Sequence, residues 1–96
     1  MSDSEKSKIR ILIVDDHPMV RDGLQSMLLN ADNLEVVGEA GTANDAVTQV
    51  EHLQPDVVLL DIQLPDEDGL SALTRIKTVA PSTCVLMLAS QSASPW

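Results

Sequence analysis

Four short apolar runs recur along the chain at regular intervals, separated by more polar segments. They are Ile9 to Val14, Leu34 to Val37, Val57 to Leu60, and Cys84 to Leu88. The first, third and fourth runs are almost continuous in Ile, Val, Leu and Met, which is typical of strands that are covered on both faces. The second run is interrupted by glutamate and glycine, so it is predicted to be an edge strand.

Three segments between these strands carry apolar residues at helical spacing. The stripes are Val20, Leu24, Met27 and Leu28; Ala43, Ala46, Val47 and Val50; and Leu70, Leu73, Ile76 and Ala80. Pro18 suits the first turn of the first helix, Thr42 or Asn44 is the expected N-cap of the second, and Pro81 closes the third. Strands that alternate with helices predict an α/β domain with a parallel sheet and helices on both faces.

The 96 residues suit one small domain. Residues 1–8 are polar and charged without an apolar period, so they are expected to form a flexible tail, and residues 89–96 also have the composition of a tail. The folded part is then residues 9–88. Cys84 is the only cysteine and lies inside an apolar run, which excludes a disulfide framework or a zinc site and predicts a buried position.

The charge balance excludes some partners. Fifteen Asp and Glu against six Lys and Arg give a net charge of −9. Direct nucleic-acid binding requires a basic surface, so none is expected of this segment. The N-terminus lacks a signal pattern, and no apolar stretch approaches the ~20 residues of a membrane span. The expected location is the cytoplasm, without membrane contact.

Acidic residues follow two of the predicted strands directly. Asp15 and Asp16 come after the first strand, and Asp61 comes after the third. Ligands of parallel α/β sheets bind beyond the carboxyl ends of the strands, so three carboxylates converge if these strands are neighbours. Like charges ~4 Å apart repel by ~4 kcal/mol at an effective dielectric near 20, and either a bound cation or a raised carboxyl pKa relieves that repulsion. Oxygen ligands in an open site favour Mg²⁺. A single Asp after a strand is commonly a cap, but three at adjacent strand ends indicate a metal site.

The loop after Asp61 adds two constraints. Pro65 fixes a turn, and Gly69 permits a close approach at the start of the third helix. The run Asp66, Glu67, Asp68 between them is expected to be a solvated loop, with Asp68 able to cap that helix.

Taken together, the acidic pair, Asp61 and the spacing to Pro65 and Gly69 resemble the receiver domains of bacterial response regulators. The step His17-Pro18 and the phrase Asp56-Val-Val-Leu-Leu-Asp61 are similar to the NarL/FixJ-type transcriptional regulators. The resemblance covers about Ile9 to Leu88. It implies a flavodoxin-like (CheY-like) parallel sheet with strand order 2-1-3-4.

The resemblance also implies roles for individual residues. Asp61 would accept a phosphoryl group from a phosphohistidine on a sensor histidine kinase. Asp15, Asp16 and Asp61 would hold Mg²⁺ together with the backbone carbonyl of Gln63. His17 is expected to be a loop residue rather than a metal ligand.

Two switch groups of the family do not appear in this sequence. The family places Thr or Ser at the end of strand four, where this chain has Ala89, with Ser90 one residue late. The family's lysine at the end of strand five has no counterpart. The fifth strand and the last two helices are expected to be missing from a C-terminally truncated chain. Strand four would then be an open edge, so the expectation is self-association through it, a partner that covers it, or a loosely packed state.

Three functions therefore remain open. The first is a non-enzymatic, Mg²⁺-dependent phosphoacceptor in a phosphorelay that controls transcription. The second is a binding module that no longer switches and either sequesters a kinase or pairs with an intact regulator. The third is a Mg²⁺-dependent phosphohydrolase, which commonly needs a second acid where this chain has Gln63.

Overall fold

The computed structural model describes residues 8–89. Its elements, in chain order, are β1 (Ile9–Val14), α1 (Pro18–Leu29), β2 (Leu34–Ala40), α2 (Ala43–Leu53), β3 (Val57–Asp61), α3 (Gly69–Val79) and β4 (Cys84–Leu88). The four strands pair in parallel in the order β2-β1-β3-β4. This confirms the predicted flavodoxin-like topology, with β2 as an edge strand.

The helices begin where the sequence predicts. Pro18 occupies the first turn of α1. The Thr42 hydroxyl accepts a hydrogen bond from the Asp45 N–H across 3.1 Å and caps α2, and the Asp68 carboxylate accepts from the Ser71 N–H across 2.9 Å and caps α3. Such caps satisfy backbone donors that have no partner within the helix. No helix within residues 8–89 is long and apolar enough to cross a membrane.

The main core lies between the sheet and the helix pair α2 and α3, which contact each other. Its buried members are Leu12, Val14, Ala40, Ala43, Ala46, Val50, Val58, Leu60, Ala72, Ile76 and Ala80. Alternate residues of β1, Ile11 and Ile13, point to the opposite face of the sheet, on which α1 packs. Because α1 has no fully buried residue, this second face has a thinner cover.

Three expectations about burial are wrong. Cys84 is exposed, because it begins a strand that has a neighbour on only one side among the described residues. Met27 is 70% exposed, whereas Leu24 and Leu28 of the same predicted stripe are half-buried. Leu70 is also 70% exposed, in the first turn of α3, where it borders a groove beside β4.

Candidate functional site

The central strand pair brings the predicted acidic residues together. Val14 of β1 is paired with Leu60 of β3, so the next residues, Asp15 and Asp61, end neighbouring strands at the same edge of the sheet. Side-chain ligand atoms of Asp15, Asp16, His17 and Asp61 all lie within 4.8 Å of one another. The convergence predicted for the three carboxylates is therefore present in the structure.

Asp61 is completely buried, and its two carboxylate oxygens have different surroundings. Oδ1 accepts a hydrogen bond from the Gln63 N–H across 3.1 Å. Oδ2 is buried without any hydrogen-bond partner within residues 8–89. A buried anionic oxygen with no donor is unfavourable, because the lost hydration is not replaced. This oxygen is therefore the position in the site at which a cation or an electrophile is best accommodated.

His17 is part of the same cluster. Its backbone N–H and its ring Nδ1 lie 2.8 Å and 2.9 Å from Oδ1 of Asp15, and Nδ1 is 3.1 Å from Oδ1 of Asp16. Because ionised carboxylates only accept hydrogen bonds, Nδ1 carries the hydrogen. The hydrogen bond to Asp15, together with the negative charges of Asp16, Asp15 and Asp61, raises the pKa of His17 above its ordinary value of 6.5.

The prediction that His17 lies in the loop before α1 is correct in position, since it is the N-cap residue. The prediction did not place its ring among the carboxylates. The signal was present in the sequence, because a residue that directly follows two acids at a strand end stays within reach of both.

Arg21 supports the site and was missed by the sequence analysis. Its Nη1 donates to the backbone carbonyl of Asp15, and its Nε donates to the Glu39 carboxylate across 3.1 Å. The guanidinium therefore links the end of β1 to β2 through α1. An arginine in the first turn of the helix that follows a strand is a weak signal without the positions of its partners.

The loop after Asp61 passes very close to the start of α3. The Gly69 N–H donates to the carbonyl of Ile62 across 2.9 Å. A Cβ atom at Gly69 would lie 2.7 Å from the backbone Cα of Ile62 and 2.9 Å from the Met87 methyl group. The prediction that Gly69 permits a close approach is confirmed.

The acidic run in this loop is not simply a solvated segment, as the sequence analysis had expected. Asp66 accepts hydrogen bonds from the N–H groups of Ala43 and Asn44, and Glu67 accepts from the Arg75 guanidinium. Only the capping role of Asp68 was predicted. The other two carboxylates fasten the loop to α2 and α3. The donors to Asp66 come from a distant part of the chain, whereas Arg75 of α3 follows Glu67 by eight residues.

Ala89, one of the two positions considered for the switch hydroxyl, lies beside Asp61. Leu88 is paired with Asp61, so Ala89 follows directly at the end of β4, where it is exposed and has no hydroxyl group. Ser90 lies outside the described residues. Lys77 donates to the carbonyls of Pro81 and Thr83, which precede β4. It therefore lies at the amino-terminal ends of the strands, whereas Asp61 lies at their carboxyl ends.

Comparisons with known proteins give a consistent result. A family model for the response regulator receiver domain matches residues 11–95. The response regulator protein VraR of Staphylococcus epidermidis is 45% identical over 82 residues, and its counterpart in Staphylococcus aureus is 44% identical over the same length. Each alignment covers 85% of this chain and 39% of the relative, so the chain spans less than half the length of these curated relatives.

Solved structures share the fold at moderate identity. The signal receiver domain of the putative response regulator NarL from Mycobacterium tuberculosis aligns with a TM-score of 0.82 at 31% identity, over 91% of this chain and 70% of that one. A LuxR-family two-component response regulator from Aurantimonas sp. SI85-9A1 aligns with a TM-score of 0.80 at 33% identity, over 84% of this chain and 58% of that one. RcsB from Salmonella enterica serovar Typhimurium, bound to promoter rprA in the presence of the phosphomimetic BeF3-, aligns with a TM-score of 0.80 at 27% identity, over 90% of this chain and 72% of that one.

Proposed function

The chain belongs to the response regulator receiver domain family, and from this premise we propose that Asp61 accepts a phosphoryl group from a phosphohistidine of a sensor histidine kinase. The observation that carries the proposal is the buried Oδ2 of Asp61, which has no hydrogen-bond partner within residues 8–89. The neighbouring Oδ1 accepts a hydrogen bond from the Gln63 N–H, so the carboxylate has a defined orientation. Its Oδ2 is left without a hydrogen-bond donor among the described residues.

The donor set fits Mg²⁺. Asp15, Asp16 and Asp61 supply carboxylate oxygens within a few ångströms of one another, and we propose the backbone carbonyl of Gln63 as the remaining protein ligand. Oxygen donors and a partly exposed residue such as Asp16 suit a hard cation that keeps some of its water. When bound there, Mg²⁺ would neutralise the negative charge shared by the acceptor and the phosphoryl oxygens.

The transfer exchanges one bond for another. An oxygen of the Asp61 carboxylate attacks phosphorus, a P–O bond forms, and the P–N bond to the kinase imidazole breaks with its electron pair going to the leaving nitrogen. The product is an acyl phosphate on Asp61 and a free histidine on the kinase. Little covalent chemistry is asked of the surrounding residues, because phosphoryl transfer depends mainly on position and charge. Gln63 and Gly69 help to position the Asp61 carboxylate, because they fix the backbone at the two ends of the loop between Asp61 and α3.

The context we propose is a phosphorelay that controls transcription. Support comes from the VraR relatives and from RcsB, which binds promoter rprA in the presence of BeF3-. We do not assign nucleic-acid binding to this segment, because its net charge is −9.

A second candidate function is a binding module that no longer switches and that sequesters a kinase or pairs with an intact regulator. Ala89 favours it, since no hydroxyl at that position can be drawn toward a phosphoryl group. Charge-assisted hydrogen bonds are typically worth ~1.5–3 kcal/mol, so absent contacts of this kind weaken the drive to change conformation.

One time course separates these functions. The chain is incubated with Mg²⁺ and a small phosphodonor such as acetyl phosphate, the donor is removed, and release of phosphate is followed. An adduct that persists after donor removal is expected of a phosphoacceptor. The absence of an adduct at saturating donor supports a module without acceptor activity, and rapid release over many turnovers supports a phosphohydrolase.

A further inference from the structure

The backbone of Asp15 is held on both sides by contacts with other elements. Its N–H donates to the carbonyl of Ala40, at the end of β2, across 3.0 Å. Its carbonyl accepts a hydrogen bond from Nη1 of Arg21, which lies in the first turn of α1. That carbonyl belongs to the peptide group that joins Asp15 to Asp16. Arg21 therefore orients the peptide between two neighbouring acids of the cluster.

Arg21 is itself fixed by β2. Its Nε donates to Oε1 of Glu39 across 3.1 Å, and Glu39 directly precedes Ala40. The contacts form a closed ring that runs from Asp15 to Ala40 and Glu39 and returns through the guanidinium. Because a guanidinium is planar, the bond from Nε sets the direction in which Nη1 donates.

The surroundings of this ion pair favour a defined geometry. The side chains of Arg21 and Glu39 are 23% and 30% exposed, so water and salt screen their attraction less than on an open surface. A Cβ atom at Gly41 would lie 3.4 Å from Nη1 of Arg21, so the loop after β2 borders the guanidinium on that side. The guanidinium is thus enclosed by β2, this loop and the end of β1.

Residues that orient metal ligands from outside commonly control the affinity for the metal. We propose that Arg21, held by Glu39, is a positioning residue for Mg²⁺: it fixes the peptide between Asp15 and Asp16 so that both carboxylates stay close to Asp61. This inference rests on the proposed function, because it concerns the same metal site. It adds two residues outside the acidic cluster that set how tightly the metal is bound.

The sign of the effect distinguishes positioning from simple electrostatics. A positive charge beside the cluster repels Mg²⁺, so removal of the charge alone would strengthen metal binding. Loss of the hydrogen bond to the Asp15 carbonyl frees the peptide and is expected to weaken metal binding. Arg21→Met removes both the charge and the donors, so its direction of change reports which effect is larger.

Mg²⁺ titration of the whole chain, followed by calorimetry, tests the proposal. Arg21→Met is expected to weaken Mg²⁺ binding by roughly tenfold. The Mg²⁺ concentration that gives half of the maximal rate of phosphorylation by acetyl phosphate should rise by the same factor. The rate at saturating Mg²⁺ should be retained, because the bound ion then holds the carboxylates itself. Arg21→Lys keeps the charge but lacks the planar fork, so it should also weaken Mg²⁺ binding.

Arg10→Met is the matched control. Arg10 is also half-buried and also donates to backbone carbonyls, those of Leu53 and Gln54, but it lies at the amino-terminal ends of the strands. Its replacement is expected to lower the melting temperature and to leave the Kd for Mg²⁺ unchanged. A general loss of stability is thereby separated from a change at the metal site.

A double-mutant cycle tests whether Arg21 and Glu39 act together. Glu39→Gln should weaken Mg²⁺ binding when Arg21 is present and should have no further effect in the Arg21→Met background, because coupled residues give non-additive changes. Additive effects would show that Glu39 does not act through Arg21.

The possible outcomes separate this proposal from the proposed function. Mg²⁺ binding that is unchanged or tighter in Arg21→Met overturns the positioning role, as does an equal loss of affinity in Arg10→Met. If Arg21→Met does not fold, unchanged Mg²⁺ binding in Arg21→Lys overturns it. Phosphorylation of the unmodified chain reports on the proposed function independently: a chain that binds Mg²⁺ but gains no phosphoryl group on Asp61 contradicts the phosphoacceptor, whereas the titrations still decide the role of Arg21.

Discussion

The backbone N–H of Ala43 donates a hydrogen bond to the carboxylate of Asp66 across 2.8 Å. Asp66 lies in the loop that follows Asp61, and Ala43 is the first residue of α2, so the contact joins two segments that are distant in the sequence. A second bond from the Asn44 N–H, 3.0 Å long, makes the carboxylate a cap for that helix. The loop beside the acceptor is therefore anchored to α2.

Asp66→Asn is expected to lower the free energy of unfolding near neutral pH. The hydrogen bond from Ala43, the one from Asn44 and the charge of Arg75 lower the pKa of Asp66 below its ordinary value of 3.8. Its unfolded form therefore binds protons more readily than its folded form. The stabilisation that ionised Asp66 gives the folded state is complete when the pH is above the ordinary pKa of the carboxyl group. It is lost as the pH falls through the folded-state pKa. Denaturant unfolding at several pH values measures it, with the exposed Asp22→Asn as the control; equal effects of the two substitutions would contradict the capping role.

Gly69→Ala and Gly23→Ala are expected to change stability in opposite directions. A Cβ at Gly69 would lie 2.7 Å from the backbone of Ile62, whereas one at Gly23 would meet nothing within 4 Å. The first should destabilise by about 1–3 kcal/mol through overpacking, and should slow phosphorylation by displacing the backbone that follows Asp61. The second should stabilise by about 0.5–1 kcal/mol, because it lies inside α1. Thermal and denaturant unfolding measure both, and equal changes would refute the close packing at Gly69.

Mg²⁺ binding is expected to weaken as the pH is lowered through the pKa of His17. That pKa is raised by the hydrogen bond to Asp15 and by the charges of Asp16, Asp15 and Asp61. Protonated His17 thus stabilises the metal-free fold at low pH, and this contribution is lost as the pH rises through the folded-state pKa. Imidazolium and Mg²⁺ compete for the same carboxylates. The apparent affinity for Mg²⁺ should therefore rise as the pH rises through the folded-state pKa of His17.

The matched variants for this prediction are His17→Gln and His52→Gln. His52 is exposed on α2, away from the acidic cluster, with Nδ1 2.9 Å from the Thr48 carbonyl. Calorimetric titration of Mg²⁺ at several pH values should give a flatter pH dependence for His17→Gln and an unchanged one for His52→Gln. If His17→Gln follows the unmodified protein at every pH, His17 does not compete with the metal.

Mg²⁺ is expected to raise the melting temperature through the three clustered carboxylates. A ligand that binds only the native state stabilises it by about 1.4 kcal/mol at roughly ten times its Kd. Asp16→Asn should lose most of this gain, because it removes one charge from the cluster, and the exposed Asp32→Asn should retain it. Equal Mg²⁺ responses in the two variants would place the ion elsewhere.

The sequence predicted the strands, the helices and their order, because each element has its own hydrophobic period and its own start or stop residue. It also predicted the meeting of Asp15, Asp16 and Asp61, since neighbouring parallel strands end at one edge of a sheet. Met27 and Leu70 were placed wrongly because helical period identifies a stripe but not how far the neighbouring sheet extends beneath it.

Other features depend on contacts between distant residues and could not be predicted from local pattern. Asp66 and Glu67 looked like a solvated run because their partners, Ala43 and Arg75, reach them only in the folded chain. Arg21 was missed because its bonds to the Asp15 carbonyl and the Glu39 carboxylate form only when α1 packs beside β1 and β2. Cys84 was expected to be buried because an apolar run does not reveal which of its residues turn their side chains to the core; in the structure it is the exposed first residue of β4.

The most direct test of the proposed phosphoacceptor is intact-protein and peptide mass spectrometry after treatment with acetyl phosphate. With Mg²⁺, the protein is predicted to gain a single phosphoryl group on the peptide that contains Asp61. Chelation of Mg²⁺ or the Asp61→Asn substitution should abolish the gain, whereas Asp32→Asn should not. An adduct on another residue, or an Asp61 that stays unmodified with saturating donor and Mg²⁺, would contradict the account.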